Sequence, residues 1–224
     1  MLTAAKPFLF RTQLSLVLLT GLRASDAKEL RDGLEQAPEM SVYYHTHHFL
    51  QQHQFLVHEP PNDFAYWVTN VLNETRLGER LAAVDTVRFR SLQDMRTALL
   101  TALHPLNDDK NVLRKAPPGH EFHFMKSVLF NLKTPFTAAT LEEFAECLKK
   151  ISMHSLYFHM FEAGLRTAKP MNDFSSWLEE LGEKALAREI DRLEPYSRTM
   201  EGLRSHIIHL VEKRLQKATH ATAQ

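Results

Sequence analysis

Phe8-Leu9-Phe10-Arg11-Thr12-Gln13-Leu14-Ser15-Leu16-Val17-Leu18-Leu19-Thr20-Gly21-Leu22 stands near the start of the chain, and its reading decides the fold. Lys6 and Arg11 ahead of the apolar run Leu14 to Leu19, with Ala24 behind it, imitate a secretory signal. The alternation of Phe8 and Phe10 has the period of two of a strand, although a helix also accommodates so short a stretch. The stretch has a counterpart inside the chain: Phe8-Leu9-Phe10 recurs as Phe122-His123-Phe124, so residues 8–22 match 122–136. An internal segment cannot be a leader, and the N-terminal stretch is therefore expected to belong to the fold.

The recurrence extends outward from these strings. Ser41-Val42-Tyr43-Tyr44-His45 returns as Ser155-Leu156-Tyr157-Phe158-His159; 122 less 8 and 159 less 45 are both 114. Asn62-Asp63-Phe64-Ala65-Tyr66-Trp67 returns as Asn172-Asp173-Phe174-Ser175-Ser176-Trp177, at a spacing of 110 (172 less 62), which implies four residues lost from the preceding loop. Leu77-Gly78-Glu79 matches Leu181-Gly182-Glu183, and Met95-Arg96 matches Leu203-Arg204. Two repeats are expected, 8–104 and 121–217. The joining segment 105–120 is rich in Pro, Asn, Asp and Gly and reads as a linker, and 218–224 as a disordered tail.

Capping signals place helices inside each repeat. Asp26 with Glu29, and Thr140 with Glu143, have the spacing of a capping box and predict helices at 26–36 and 140–150. A second helix starts at Pro38 or Ser152, and a third is capped by Asn62 or Asn172. Phe64, Trp67 and Val68, or Phe174, Trp177 and Leu178, would share one face of it. Further helices are predicted at 78–85, 91–104, 182–194 and 197–217. The expected fold class is mainly α: a tandem duplication of a helical repeat about a pseudo-twofold axis, with room for a short strand at the start of each repeat.

Composition narrows the function. The 224 residues are 44% hydrophobic, enough for a substantial core, and 27 basic residues balance 27 acidic ones. A chain without net charge has no long-range field for nucleic acid or anionic lipid, so neither is an expected partner. The single cysteine, Cys147, cannot form an internal disulfide, which favours a reducing, cytoplasmic location. No apolar stretch approaches the roughly 20 residues of a membrane span. Thirteen histidines would add positive charge near pH 6.5 and make acid sensitivity an expectation to test.

Two sets of side chains could carry chemistry. His45 and His48 lie three apart, and the matching positions are His159 and Glu162; all four are potential zinc or iron ligands. The competing reading makes His45 and His159 buried, hydrogen-bonded helix residues, leaving His47, His48 and His53 in solvent. Asp63 and Asp173, each near a tryptophan, are candidate carboxylates of a ligand-binding or catalytic cleft, with Trp67 and Trp177 available to stack on a ligand. Against that, an Asn-Asp pair ahead of an amphipathic helix commonly caps it, and the tryptophan spacing suits a core. No phosphate loop, nucleophile elbow or Cys-x-x-Cys pair is present. Cys147 falls in mid-helix opposite Gly33 in the other repeat and reads as a core thiol.

The strings together resemble an uncharacterised prokaryotic family with an aromatic start and a Ser-Leu-x-x-Phe helix. Its pattern continues with Ser-hydrophobic-x-x-His, Asp-Phe-x-x-Trp and Leu-Gly-[Asp/Glu]-x-x-Leu-Ala. Residues 140–183 fit closely; the first string departs at Leu30, which stands where Phe144 does, and in Arg80-Leu81-Ala82. The resemblance implies a bacterial or other prokaryotic protein and carries no activity with it. The expectation is a non-catalytic binding or regulatory module that engages a protein partner or a second copy, with no cofactor. The alternative is a metal- or acid-dependent enzyme, or a small-ligand-binding protein, using His45, His159, Asp63 and Asp173 between the repeats.

Overall fold

The computed structural model describes residues 3–48, 62–86, 89, 91–104, 114–162, 171–193 and 199–222, with only the backbone described for His48 and 219–222. Two strands, β1 (Phe8–Ala24) and β2 (Phe122–Ala138), each 17 residues long, pair in a two-stranded sheet. They run antiparallel: the Thr20 hydroxyl donates to the Phe124 carbonyl at 2.6 Å, and the Thr134 hydroxyl donates to the Phe10 carbonyl at 2.7 Å. Among the described residues there are ten α-helices. They are α1 (Ala27–Gln36), α2 (Glu39–Tyr43), α3 (Asp63–Asn70), α4 (Thr75–Ala82), α5 (Leu92–Leu103), α6 (Leu141–Lys150), α7 (Met153–Tyr157), α8 (Asp173–Glu180), α9 (Lys184–Asp191) and α10 (Met200–Thr222).

The expected fold class needs correction. The chain is a mixture of helix and sheet, not a tandem helical repeat, because the element at the head of each string is a long strand built into the core. Its period-two signal was visible only at Phe8 and Phe10. The run Leu16-Val17-Leu18-Leu19 hides the alternation, since an apolar stretch of that length has no polar position to mark the period.

The described residues fall into two compact units. Unit I takes those within Ser15–His53 and Val57–Leu129, and unit II those within Met1–Leu14 and Phe130–Gln224. In unit I, Leu30, Leu34, Val42, Phe64, Val68, Leu81 and Leu99 form a core with Phe122 and Phe124 of β2. In unit II, Phe144, Leu148, Phe174, Leu178, Ile190 and Ile207 form a core with Phe8 and Phe10 of β1. The aromatic start of each string thus packs against the helices of the other string. Full burial of each phenylalanine contributes about 2–3 kcal/mol.

Local chemistry explains where the helices start. Asp26 accepts the Glu29 amide and Thr140 accepts the Glu143 amide, capping α1 and α6. Glu29 and Glu143 reach back to the amides of Ser25 and Ala139, both at 2.7 Å. Asn62 and Asn172 cap α3 and α8 through the amides of Ala65 and Ser175. The side-chain nitrogens of the same two residues donate onward, to the Leu81 carbonyl and to Asp191, and so fasten α3 to α4 and α8 to α9. Because the asparagines do the capping, the aspartates that follow them are free for another task.

Candidate functional site

Both candidate histidines lie where an α-helix widens into a π-helical turn, α2 into Tyr44–His48 and α7 into Phe158–Glu162. Such turns are rare and recur at functional sites. In unit I the His45 Nδ1 lies 2.8 Å from Asp63 Oδ2, while Nε2 accepts the backbone N–H of Met125 in β2 at 2.9 Å. In unit II the His159 Nδ1 lies 2.9 Å from Asp173 Oδ2, and Nε2 accepts the backbone N–H of Arg11 in β1 at 2.8 Å.

This geometry dictates the proton positions. A backbone N–H can only donate, so Nε2 must present its lone pair and the ring proton must sit on Nδ1, donating to the carboxylate. Each neutral ring therefore has both nitrogens engaged. A second proton, on Nε2, would point at the strand N–H and break that contact. Burial holds both imidazoles below their ordinary pKa of 6.5, overcoming the opposite pull of the adjacent aspartate. The rings sit among phenylalanines: Phe64, Phe122 and Phe124 around His45, and Phe8, Phe10 and Phe174 around His159.

Further contacts complete the arrangement, one in the first string and two in the second. The Trp67 indole donates to the His120 carbonyl at 2.8 Å, and the Trp177 indole donates to the Lys6 carbonyl at 3.2 Å, each just ahead of a strand. Both tryptophans are buried. In unit II the Ser155 hydroxyl also donates to the Arg11 carbonyl at 2.6 Å. Ser155 and His159, one helical turn apart, thus satisfy both backbone groups of Arg11 as a neighbouring strand would. Sequence reasoning did not single out Ser155. Its spacing of four from His159 beside a strand string was the available signal.

The structure brings His45 to Asp63 in unit I and His159 to Asp173 in unit II. Of the metal candidates, His45 and His159 have no free nitrogen in this arrangement, Glu162 is buried in its π-helical turn, and the side chain of His48 lies outside the described residues. His53 and His58 also lie outside them. Among the described residues, no group of three or more His, Cys, Asp or Glu is arranged to hold a metal ion. His47, placed in solvent by the sequence reading, is instead fully buried against the Tyr43 ring, and burial lowers its pKa to about 4. Cys147 is a core thiol 3.4 Å from the Thr137 carbonyl, and burial raises its pKa.

Fold and site together define a helix-flanked, two-stranded protein in which a histidine–aspartate pair secures each strand. The chain belongs to a family of unknown function, DUF5752, whose model matches residues 5–212. It is also similar to the solved structure of OrfY from Thermoproteus tenax, at 28% sequence identity and a TM-score of 0.80, over 94% of this chain and 96% of that one. No curated protein matches the sequence. Among the described residues, no helix is long and apolar enough to cross a membrane.

Proposed function

We propose that this protein is a non-catalytic binding or regulatory module that acts through protein–protein contacts. One observation carries the reading. Leu14, Leu16 and Leu18 alternate along β1, and Phe130 and Leu132 along β2, and all five are 39–59% exposed. Large apolar side chains left exposed along a strand are characteristic of an interaction surface.

The histidine–aspartate pairs support the same reading from the other side. A general base needs a lone pair free to take a proton from a substrate. In each pair that lone pair receives a strand N–H, so the residues that look most like a catalytic set are engaged in holding the ribbon. On this reading the recurrent Ser-x-x-x-His and Asp-Phe-x-x-Trp strings serve to secure each strand start within its own unit.

The test is native-state binding of an environment-sensitive apolar dye, compared between the wild type and Leu16→Lys. A bright wild type and a dim, fully folded variant are expected. Stoichiometric zinc or iron in untagged protein, lost in a His45→Ala, His159→Ala double variant that stays folded, would overturn the reading in favour of a metalloprotein.

A further inference from the structure

We infer that each histidine clamp is an acid-operated latch on a strand start, and that the latch of His45 on Met125 in unit I is the looser of the two. The closed form accepts one protonation state. Nδ1–H donates to the aspartate, and the Nε2 lone pair receives the strand N–H, at 2.9 Å from Met125 in unit I and 2.8 Å from Arg11 in unit II. A proton taken from water by Nε2 sets one donor against another at that distance. The N–H to Nε2 bond is then lost, while the imidazolium keeps its Nδ1–H bond to the carboxylate. The new charge is not stranded in a core. Asp63 and Asp173 are 29% and 22% exposed beside rings that are 3% exposed, so each ion pair reaches solvent through its carboxylate.

The groups around each ring set the order of opening. His45 meets Asp63 and Phe64 of α3, Phe122 and Phe124 of β2, and Tyr44 of its own turn. Burial and the Asp63 charge hold the Tyr44 phenol above its ordinary range, and it stays neutral. His47, two positions on, stacks on Tyr43 instead, and with its pKa lowered by burial to about 4 it takes no proton near pH 6. His159 meets Asp173 and Phe174 of α8, Phe8 and Phe10 of β1, and Phe158 of its own turn, on which the buried Glu162 also stands. The Arg11 cation of β1 opposes a proton on His159, whereas the matching residue at the His45 clamp is the uncharged Met125. Ser155 adds a second hold, on the Arg11 carbonyl, where the Ser41 hydroxyl has no hydrogen-bond partner among the described residues. Opening therefore breaks two strand contacts in unit II and one in unit I.

The sign of the response follows from burial. A released imidazole titrates near its ordinary pKa of about 6.5, and the closed rings titrate below it. Acid leaves the latches alone above that pH and opens them progressively below it, because the open form binds the extra proton.

The test is amide hydrogen exchange on the full chain between pH 6.5 and pH 5.5, resolved by residue and corrected for intrinsic rates, on the wild type, His45→Gln and Ser155→Ala. A glutamine can accept the Met125 N–H but takes no proton. Protection at Met125 should fall roughly fivefold over this range in the wild type and stay flat in His45→Gln. In the wild type it should also lie below protection at Arg11, and below that at Leu99 of α5, whose buried helical position reports opening of the whole unit I core. Ser155→Ala should lower protection at Arg11 by roughly fivefold. Wild-type protection at Met125 that does not change with pH, or that equals protection at Leu99 throughout, would overturn the latch, and this comparison holds even where His45→Gln does not fold. A pH-dependent fall that persists in folded His45→Gln would assign the response to another group and overturn it too. Protection at Met125 above that at Arg11 would overturn the order of opening.

Discussion

The two histidine clamps share a plan but differ in how completely it is executed. In unit II, Ser155 and His159 take both the carbonyl and the N–H of Arg11. In unit I, His45 takes the N–H of Met125, but the buried Ser41 hydroxyl has no hydrogen-bond partner among the described residues. Unit I also buries an extra imidazole, His47, where the matching position of unit II, 114 residues on, is Phe161. A third difference lies on the first helix of each unit. Gly33 of α1 lets the Phe124 ring approach so closely that a Cβ there would lie 2.4 Å from it, whereas the matching Cys147 of α6 fits a side chain in the same place. Similar strings can thus yield one clamp closed on both backbone groups and another closed on one.

The largest effect should come from removing the clamps themselves. His159→Ala deletes a buried ring and strands the Arg11 N–H and the Asp173 carboxylate, costing about 4 kcal/mol in unit II. His45→Ala should cost a similar amount in unit I. Hydrogen exchange would report this as lost protection at Arg11 in the first variant and at Met125 in the second. Equal loss at both amides in either variant would show that the clamps do not act separately.

Acid should discriminate between the units next. His45, His47 and His159 all have pKa values below 6.5 in the folded chain, so the unfolded chain binds protons first as the pH falls. The stability these neutral rings contribute is complete above about pH 6.5 and is lost progressively below it. For His47 the loss runs from 6.5 down to about 4 and amounts to about 3 kcal/mol, all of it in unit I. Chemical denaturation followed separately in the two units from pH 7 to pH 4 should show the steeper decline in unit I. His47→Phe, which installs the residue found in unit II, should flatten it.

Gly33→Ala should destabilise unit I by about 2 kcal/mol, since the Phe124 ring must move to admit a methyl group. Cys147→Ala in unit II should cost about 1 kcal/mol, the loss of a small buried group. The smallest contrast is Ser155→Ala against Ser41→Ala. The first removes a hydrogen bond to a strand carbonyl and should cost about 1 kcal/mol, and the second removes none and should lie near zero. Urea midpoints at constant slope would check all four substitutions, and a Ser41→Ala cost as large as that of Ser155→Ala would erase the proposed asymmetry.

Much of the helical part was legible in the sequence. Asp26, Thr140, Asn62 and Asn172 announced their helices because a cap is a contact over three residues, readable without knowing the rest of the chain. The roles of Asp63 and Asp173 were not legible: each stands at the first position of a helix, where a capping or dipole role is the local reading. Its actual partner is a histidine 18 or 14 residues earlier. Trp67 and Trp177 were candidates to stack on a ligand, with a core position as the competing reading; both are buried, and the carbonyls that receive their indole N–H groups lie 53 and 171 positions away.

The sequence by itself determined the starts of the helices capped by Asp26, Asn62, Thr140 and Asn172, because a cap depends on neighbours within a turn of the chain. Only the tertiary structure decided that the leading strings are 17-residue strands, that each strand start packs with the other string's helices, and that the histidines are spent on strand N–H groups. Those outcomes rest on contacts between residues far apart in the chain, such as Arg11 and His159, 148 positions apart. An imidazole carries no local mark of whether its lone pair will face a metal, a substrate or a backbone amide. That is settled when packing brings the strand edge to it.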